Sequence, residues 1–213
     1  MKTIYLPPKS IENRANQLIG SYEERFGWIS APVPVEKIAE NFLDLMLEWN
    51  HIPEGSNEII FAGLSPRQKK VIFNEKRKAY YEDTDGLYNT VLAHEVGHWV
   101  LHVDAVDLGL QPTLLGTEVA SEFVYRSTGP AKPLEWQAHT FMGYLLLPYR
   151  LLRNHIEAGD IYDWGGLYDM KEKFEVTISA LVIRLEKMGV IFIDEDKVIY
   201  PSEAVSKGQG RLM

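Results

Sequence analysis

Apolar residues recur at helical spacing in the first part of the chain and then give way to short apolar runs. Two segments with apolar residues every three or four positions, residues 10–26 and 35–43, predict amphipathic helices. Three short runs bounded by polar and turn residues predict strands, at residues 45–49, 59–64 and 70–74. Ser65 and Pro66 lie between the last two runs and predict the turn that joins them.

The second half of the chain is predicted to be mainly helical. Its periodic segments predict four helices, at residues 87–103, 134–147, 168–174 and 177–188. The turn sequence at 83–86 precedes the first of them, Pro148 ends the second, and Gly189 ends the last. A β-hairpin is predicted at 190–200. Residues 104–134 read as a long irregular loop, and such loops inside compact domains are usually functional.

Together these elements predict an α+β fold, a mostly helical single domain with a small mixed or antiparallel sheet. We expect residues 1–30 to form a helical segment that packs on the core. Residues 31–200 are expected to form the main domain, which includes a helix–turn–helix-like hairpin at 166–189 and the C-terminal β-hairpin. The last residues, 201–213, are expected to fray.

Composition and charge narrow the function classes. The 213 residues include 22 Lys and Arg against 30 Asp and Glu, which gives a formal net charge of −8. This balance disfavours a general polyanion binder, because neutralising phosphates requires a basic face. The chain has no cysteine, which excludes disulfides, thiolate zinc sites, iron–sulfur clusters and cysteine nucleophiles. Any transition metal must therefore be bound by histidine and carboxylate side chains.

The chain shows no targeting signal. Its first ten residues contain two prolines and lack the apolar segment of a secretory signal. No apolar run approaches the roughly 18 residues that a membrane-spanning helix requires. From these observations we expect a soluble, cytoplasmic protein.

The segment with the clearest chemistry is the HExxH pattern inside the helix predicted at 87–103. Residues four apart in a helix are one turn apart, so the imidazoles of His94 and His98 project from one face about 6 Å from each other. Both ring nitrogens can then reach one metal ion at about 2.0–2.1 Å. Glu95 lies about 100° around the helix from His94, where it can reach a water on that ion but cannot join the same row of ligands.

A catalytic zinc site needs a third protein ligand and an open position. His102 continues the row of histidines but lies about two turns from His94, too far for an easy tetrahedral site. Asp104 stands at the spacing of a metzincin third ligand, but Leu101 occupies the position where that arrangement needs a glycine. Glu135 begins a separate predicted helix and could approach from a neighbouring element.

Two separated segments carry a resemblance to a known family. Residues 135–148 (EWQAHTFMGYLLLP) resemble the ExxAxxFxxxLLxP signature of the ImmA/IrrE metallopeptidases, and residues 92–102 (LAHEVGHWVLH) resemble the HExxH block of the same family. Weaker likenesses at residues 34–39 and 176–185 extend the resemblance over most of 30–192. Because both motifs occur in the right order, the resemblance is far more specific than HExxH alone.

The resemblance implies a gluzincin-like zinc metallopeptidase core with one Zn²⁺ per chain. It implies that His94, His98 and Glu135 are the ligands and that Glu95 is the catalytic glutamate. It also implies an intracellular endopeptidase that cleaves a separate protein, a helix–turn–helix transcriptional repressor, and so derepresses stress or mobile-element genes. Neither a membrane nor direct binding of nucleic acid is expected.

One departure from the family signature adds a candidate residue. His139 replaces the usual asparagine one turn after Glu135, so it could orient a ligand, contact the substrate, or be a partly exposed histidine without a role. The tetrahedral oxyanion of peptide hydrolysis usually needs a further hydrogen-bond donor. We consider four residues for that role: His139, Tyr144, Tyr88 and Tyr168.

Two other functions compete with the protease. In the first, the metal site is a sensor or scaffold, and the protein is a non-proteolytic regulator that acts by binding a repressor or toxin–antitoxin type partner; the intact Glu95 disfavours this reading. In the second, the hairpin at 166–189 binds DNA. Its helices carry only one more basic than acidic residue across 171–188, and their apolar residues are spaced as a core stripe. We therefore interpret the hairpin as a packing element.

Overall fold

The computed structural model of the chain describes residues 5–55, 59–103, 132–159 and 161–202. Within these ranges the elements are, in order, α1 (Pro8–Phe26), α2 (Val35–Lys37), β1 (Met46–Asn50), β2 (Ala62–Ser65), β3 (Lys70–Asn74), α3 (Lys78–Asp83), α4 (Leu87–His102), α5 (Lys132–Leu146), α6 (Tyr149–Ala158), α7 (Trp164–Phe174), α8 (Ile178–Lys187), β4 (Phe192–Ile193) and β5 (Ile199–Tyr200). Short 3₁₀ turns follow β2 and β3, at Pro66–Gln68 and Glu75–Arg77.

The fold class agrees with the prediction, since a mostly helical domain surrounds a small mixed sheet. The three strands lie in the order β1-β3-β2, with β1 parallel to β3 and β2 antiparallel to it. In this register Ile72 of β3 lies between Glu48 of β1 and Gly63 of β2. The two-stranded sheet of β4 and β5 is the predicted C-terminal hairpin.

Strand β2 is shorter than its apolar run suggests. It begins at Ala62, although the run begins at Ile59. The reason is that Ile60 is held by side chains: its N–H donates to Glu54 Oε1 at 2.9 Å, and its carbonyl accepts from Asn74 Nδ2 at 2.9 Å. The buried Asn74 side chain thus takes the place of ladder bonds at this end of the sheet.

The predicted helix at 35–43 changes type part-way. After the single turn of α2, residues Ile38–Phe42 form a π-helix, and the N–H of Leu43 donates to the carbonyl of Ile38 at 3.0 Å. Asp44 then adopts a left-handed conformation with φ 58°, and Leu45 N–H donates back to the carbonyl of Ala39 at 2.9 Å. This wide turn lets the chain leave the helix directly into β1.

Helices α3 and α6 were not predicted, and α7 begins earlier than predicted. Pro148 is predicted only to end a helix. It follows the end of α5 and is also the N-cap of α6. Helix α6 is amphipathic, with Leu152 completely buried and Leu151 and Ile156 packed against the core, so the prediction missed a pattern that the sequence contains. Helix α7 begins at Trp164 because Asp163 Oδ1 accepts the N–H of Gly166 at 2.8 Å and caps the helix despite its two early glycines.

The core is built around α4 and α5, which pack along each other, with α1 across α5 and β2 against α4. Helix α1 contributes five buried residues: Ile11, Ala15, Leu18, Ile19 and Tyr22. In the helical hairpin, α8 buries Leu181 and Leu185 and α7 buries Phe174, so the apolar stripe there packs inward. None of the described helices is both long and apolar enough to cross a membrane.

Some predictions fall outside the described residues. These are Asp104, nearly all of the predicted loop at 104–134, and residues 203–213 of the predicted frayed tail. Helix α5 begins at Lys132, slightly before the predicted end of that loop. The proposed division into a segment 1–30, a main domain 31–200 and a tail stays a prediction.

Candidate metal centre

Helix α4 buries its two motif histidines completely in the interior of the domain. The side chains of His94 and His98 are each 2% exposed, and their Nε2 atoms lie 3.0 Å apart. The fully buried Leu92 and Val96 pack into the core from other sides of the helix. The packing of α4 therefore fixes both imidazoles with one nitrogen of each directed at a common point.

Gly97 explains how a second helix comes so close to this point. A Cβ atom at Gly97 would lie 3.0 Å from the carbonyl oxygen of Ala138, 3.2 Å from its Cα and 3.3 Å from Phe141 Cδ1. Only a residue without a side chain permits that approach of α5 to α4. The contact places Glu135, one turn before Ala138, over the two histidines.

Glu135 completes a three-residue group. Its Oε2 lies 3.2 Å from His94 Nε2 and its Oε1 lies 3.5 Å from His98 Nε2. The ligand atoms of the three residues all lie within 4.8 Å of one another. Although burial by itself raises the pKa of Glu135, hydrogen bonds from His94 and His98 lower it below its ordinary value overall. The carboxylate is thus ionised and available as a ligand.

These distances fit a divalent metal ion. Four ligands at about 2.0–2.1 Å in a tetrahedron have edges of about 3.3–3.4 Å, and the three measured distances, 3.0, 3.2 and 3.5 Å, lie around that length. Two imidazoles and one carboxylate are also a ligand set that zinc enzymes use, with a fourth position left open. The residues present therefore suit a catalytic zinc site.

The carboxylate of Glu95 lies in the interior beside this group. The residue has no solvent exposure, and neither of its oxygens has a hydrogen-bond partner among the described residues. Burial raises the pKa of Glu95 to about 7; His94 opposes this rise and the negative charge of Glu135 adds to it. A carboxylate with this pKa and no partner can take up and release a proton near neutral pH.

A family model described as Peptidase_M78, IrrE N-terminal-like domain, matches residues 81–186. The chain belongs to the ImmA/IrrE family of metallopeptidases. The matched range runs from α3 to α8 and includes all three residues that could hold a metal ion, and the family resemblance found in the sequence is confirmed. No curated protein matches the chain.

In this ImmA/IrrE chain His139 lies against the group. It follows Glu135 by one turn of α5, and its ring centroid is 4.2 Å from that of His94, with the rings tilted by 49°. Burial, followed by repulsion from His94, lowers the pKa of His139 well below its ordinary value. A neutral imidazole therefore lies at the edge of the site, and the role of His139 stays a prediction.

Tyr144 is not brought to the group. It lies nine residues after Glu135, half a turn away around α5, which places it on the opposite face about 13 Å along the axis. There the guanidinium carbon of Arg184 lies 4.4 Å from the centroid of the Tyr144 ring. The Nε of Arg184 also donates a hydrogen bond to the carbonyl of Leu147 at 3.1 Å. Of the other tyrosines considered, Tyr88 stacks on Phe73 in front of the sheet.

The sequence analysis disfavours His102 as a metal ligand, and in the structure it contacts the side chain of His98. Its Nδ1 lies 3.1 Å from Nδ1 of His98, on the side of that ring away from His94. Burial and repulsion from His98 lower the pKa of His102 to about 4, so its ring is neutral. The signal was present in the sequence as the continued four-residue spacing, but spacing alone does not tell a ligand from a neighbour of a ligand.

Proposed function

We propose that this member of the ImmA/IrrE family is a zinc-dependent endopeptidase. The observation that carries the proposal is the convergence of His94 Nε2, His98 Nε2 and the Glu135 carboxylate beside Glu95, a buried carboxylate with no hydrogen-bond partner in the part of the chain that the structure describes. A structural metal site would not require Glu95. A hydrolytic site requires a base in this position.

Each residue then has a defined task. His94 and His98 hold the ion through Nε2, and Glu135 holds it from α5. When bound, zinc supplies a Lewis acid that makes water more acidic and polarises the scissile carbonyl group. Glu95 accepts the proton of the attacking water on a carboxylate oxygen and passes it to the leaving nitrogen. Its pKa of about 7 makes both transfers feasible near neutral pH.

His139 is proposed as the donor that contacts the substrate. Its neutral ring lies next to His94 on the same face of α5 as Glu135. An N–H at that edge can donate to the oxygen of the scissile carbonyl, where negative charge develops. Tyr144 lies on the opposite face of α5 and has no part in this proposal.

The proposed substrate is a separate helix–turn–helix transcriptional repressor, which the protein cleaves in the cytoplasm to derepress stress or mobile-element genes. Support for this substrate class comes from the family resemblance. The acidic balance of the chain and the inward packing of the α7–α8 hairpin agree with a protein that acts on a repressor and does not bind DNA itself.

The test is a cleavage assay with a matched variant. The zinc-loaded protein is incubated with the repressor encoded next to its gene, with and without chelator, and the fragments are identified by mass spectrometry. We expect one defined cut that chelator abolishes. Glu95→Gln should still bind zinc and should not cut. Stable association of the two proteins without a cut would instead favour the non-proteolytic regulator, and a cut by Glu95→Gln at the full rate would refute the role of Glu95.

A further inference from the structure

Helix α4 carries three histidines spaced four residues apart, His94, His98 and His102. The middle one, His98, contacts each of its two neighbours through a different ring nitrogen. His98 meets His94 through Nε2, at 3.0 Å, and meets His102 through Nδ1, at 3.1 Å. The His98 and His102 ring centroids are 5.2 Å apart with the planes tilted by 52°. One nitrogen of His98 therefore belongs to the metal-binding group, and the other has a polar partner of its own.

Binding of a metal through Nε2 of His98 would fix the proton positions along this row. A neutral imidazole that offers the lone pair of Nε2 to a metal carries its proton on Nδ1. In His98 that N–H points at His102 Nδ1, which must accept it. His102 therefore carries its own proton on Nε2, a buried atom that has no hydrogen-bond partner among the described residues. The side chain of Gln137, from α5, lies close enough to His102 to affect its pKa.

We propose that His102 is a positioning residue that holds His98 in the tautomer and ring orientation required for metal binding, an inference that rests on the metal site of the proposed function. Partners of this kind orient metal-ligating histidines, and their removal typically costs about 10–100-fold in metal affinity. In most such sites the partner is a carboxylate or a carbonyl group. Here a second histidine, one turn further along the same helix, has that place.

The other histidine of the group, His94, lacks the hydrogen bond that His98 makes through Nδ1. Its Nδ1 is buried and has no hydrogen-bond partner among the described residues. The two histidine ligands are thus held differently: His94 by packing against His139, and His98 by a hydrogen bond. Loss of the His102 acceptor should disturb His98 and leave the tautomer of His94 unchanged.

The first experiment compares two substitutions of the same residue. His102→Phe keeps a ring of similar size but removes the acceptor, and His102→Asn keeps an acceptor oxygen at the position of Nδ1. Zinc affinity is measured by competition with a chromophoric chelator, with circular dichroism and thermal melting as checks on folding. We expect about a 10–100-fold loss in His102→Phe and recovery to within a few-fold of wild type in His102→Asn. His51→Ala, at an exposed histidine far along the chain, is the control and should bind as wild type.

The second experiment reads the hydrogen bond itself. Nitrogen-15 NMR of the histidine rings in the zinc-loaded protein reports whether the Nδ1 proton of His98 is protected from exchange with water. We expect a protected Nδ1–H in wild type and in His102→Asn, and rapid exchange in His102→Phe. Equal protection in His102→Phe, or equal zinc affinity of His102→Phe and wild type, would overturn the inference and leave the proposed function standing. Failure of the wild-type protein to bind zinc would overturn the proposed function.

Discussion

The close contact of α4 and α5 at Gly97 gives the most demanding test of how this site is built. In Gly97→Ala the new Cβ meets backbone atoms of α5, the carbonyl oxygen of Ala138 at 3.0 Å and its Cα at 3.2 Å. Backbone atoms cannot rotate aside as a side chain could. Helix α5 must therefore move by a few tenths of an ångström, and Glu135 moves with it.

The expected size follows from two opposing effects. Alanine in the middle of a helix is favoured over glycine by about 1 kcal/mol, whereas overpacking a tight interior contact costs about 1–3 kcal/mol. A matched control separates the two. Gly20 lies in the middle of α1, and a Cβ there would meet nothing within 4 Å, so Gly20→Ala should show the helical gain alone. We expect the free energy of unfolding of Gly97→Ala to lie about 1–3 kcal/mol below that of Gly20→Ala.

The assay is urea unfolding of both variants without zinc, followed by zinc titration of each. Gly20→Ala should be stabilised and should bind zinc as wild type does. Gly97→Ala should show weaker zinc affinity, because its third ligand is displaced. If Gly97→Ala is stabilised as much as Gly20→Ala and binds zinc equally well, the helices are not in contact as described, and the account of how Glu135 is positioned fails.

Three further predictions concern the ligand, the base and the acid stability of the fold. In the wild-type protein, zinc at 100 times Kd should raise the free energy of unfolding by about 2.7 kcal/mol and the melting temperature with it. Glu135→Ala should lose this rise, and an equal rise in the variant would exclude Glu135 as a ligand. Glu95→Gln should show the same zinc-dependent rise as wild type but no cleavage, and loss of zinc binding would show a different role. Arg77 and Lys76 lower the pKa of Glu54 to about 2. Because this folded-state pKa lies below the unfolded value, the stabilisation is present above the unfolded pKa and is lost as pH falls towards about 2. The urea midpoint should therefore fall less between about pH 5 and pH 2 in Glu54→Gln than in wild type, and parallel curves would contradict the ion pair.

Elements defined by a local periodic pattern were predicted well. Helix α4 was expected at 87–103 and spans Leu87–His102, and strand β3 agrees with its apolar run at both ends. Elements whose ends depend on residues distant in the sequence were predicted less well. The start of β2 depends on the side chains of Asn74 and Glu54. Helix α6 is a different case, because its apolar pattern at Leu151, Leu152 and Ile156 is present in the sequence and was missed.

The same division holds within the site. The four-residue spacing of His94 and His98 placed both on one face of one helix, because helical geometry is local. Glu135 lies 37 residues after His98, and only its resemblance to a family signature identified it. Tyr144 and His139 were equal candidates in the sequence, yet the rotation of α5 brings one to the metal group and turns the other to Arg184.

The sequence by itself determined helix α4 with its pair of imidazoles, the absence of thiolate ligands and the family. Only the tertiary structure decided how closely Glu135 approaches the two histidines, that His102 lies 3.1 Å from His98, and that Glu95 is buried with no hydrogen-bond partner in the described part of the chain. The physical reason is the range of the interactions. Helical spacing is set by bonds between residues four apart, whereas the third ligand depends on how closely two helices approach at Gly97.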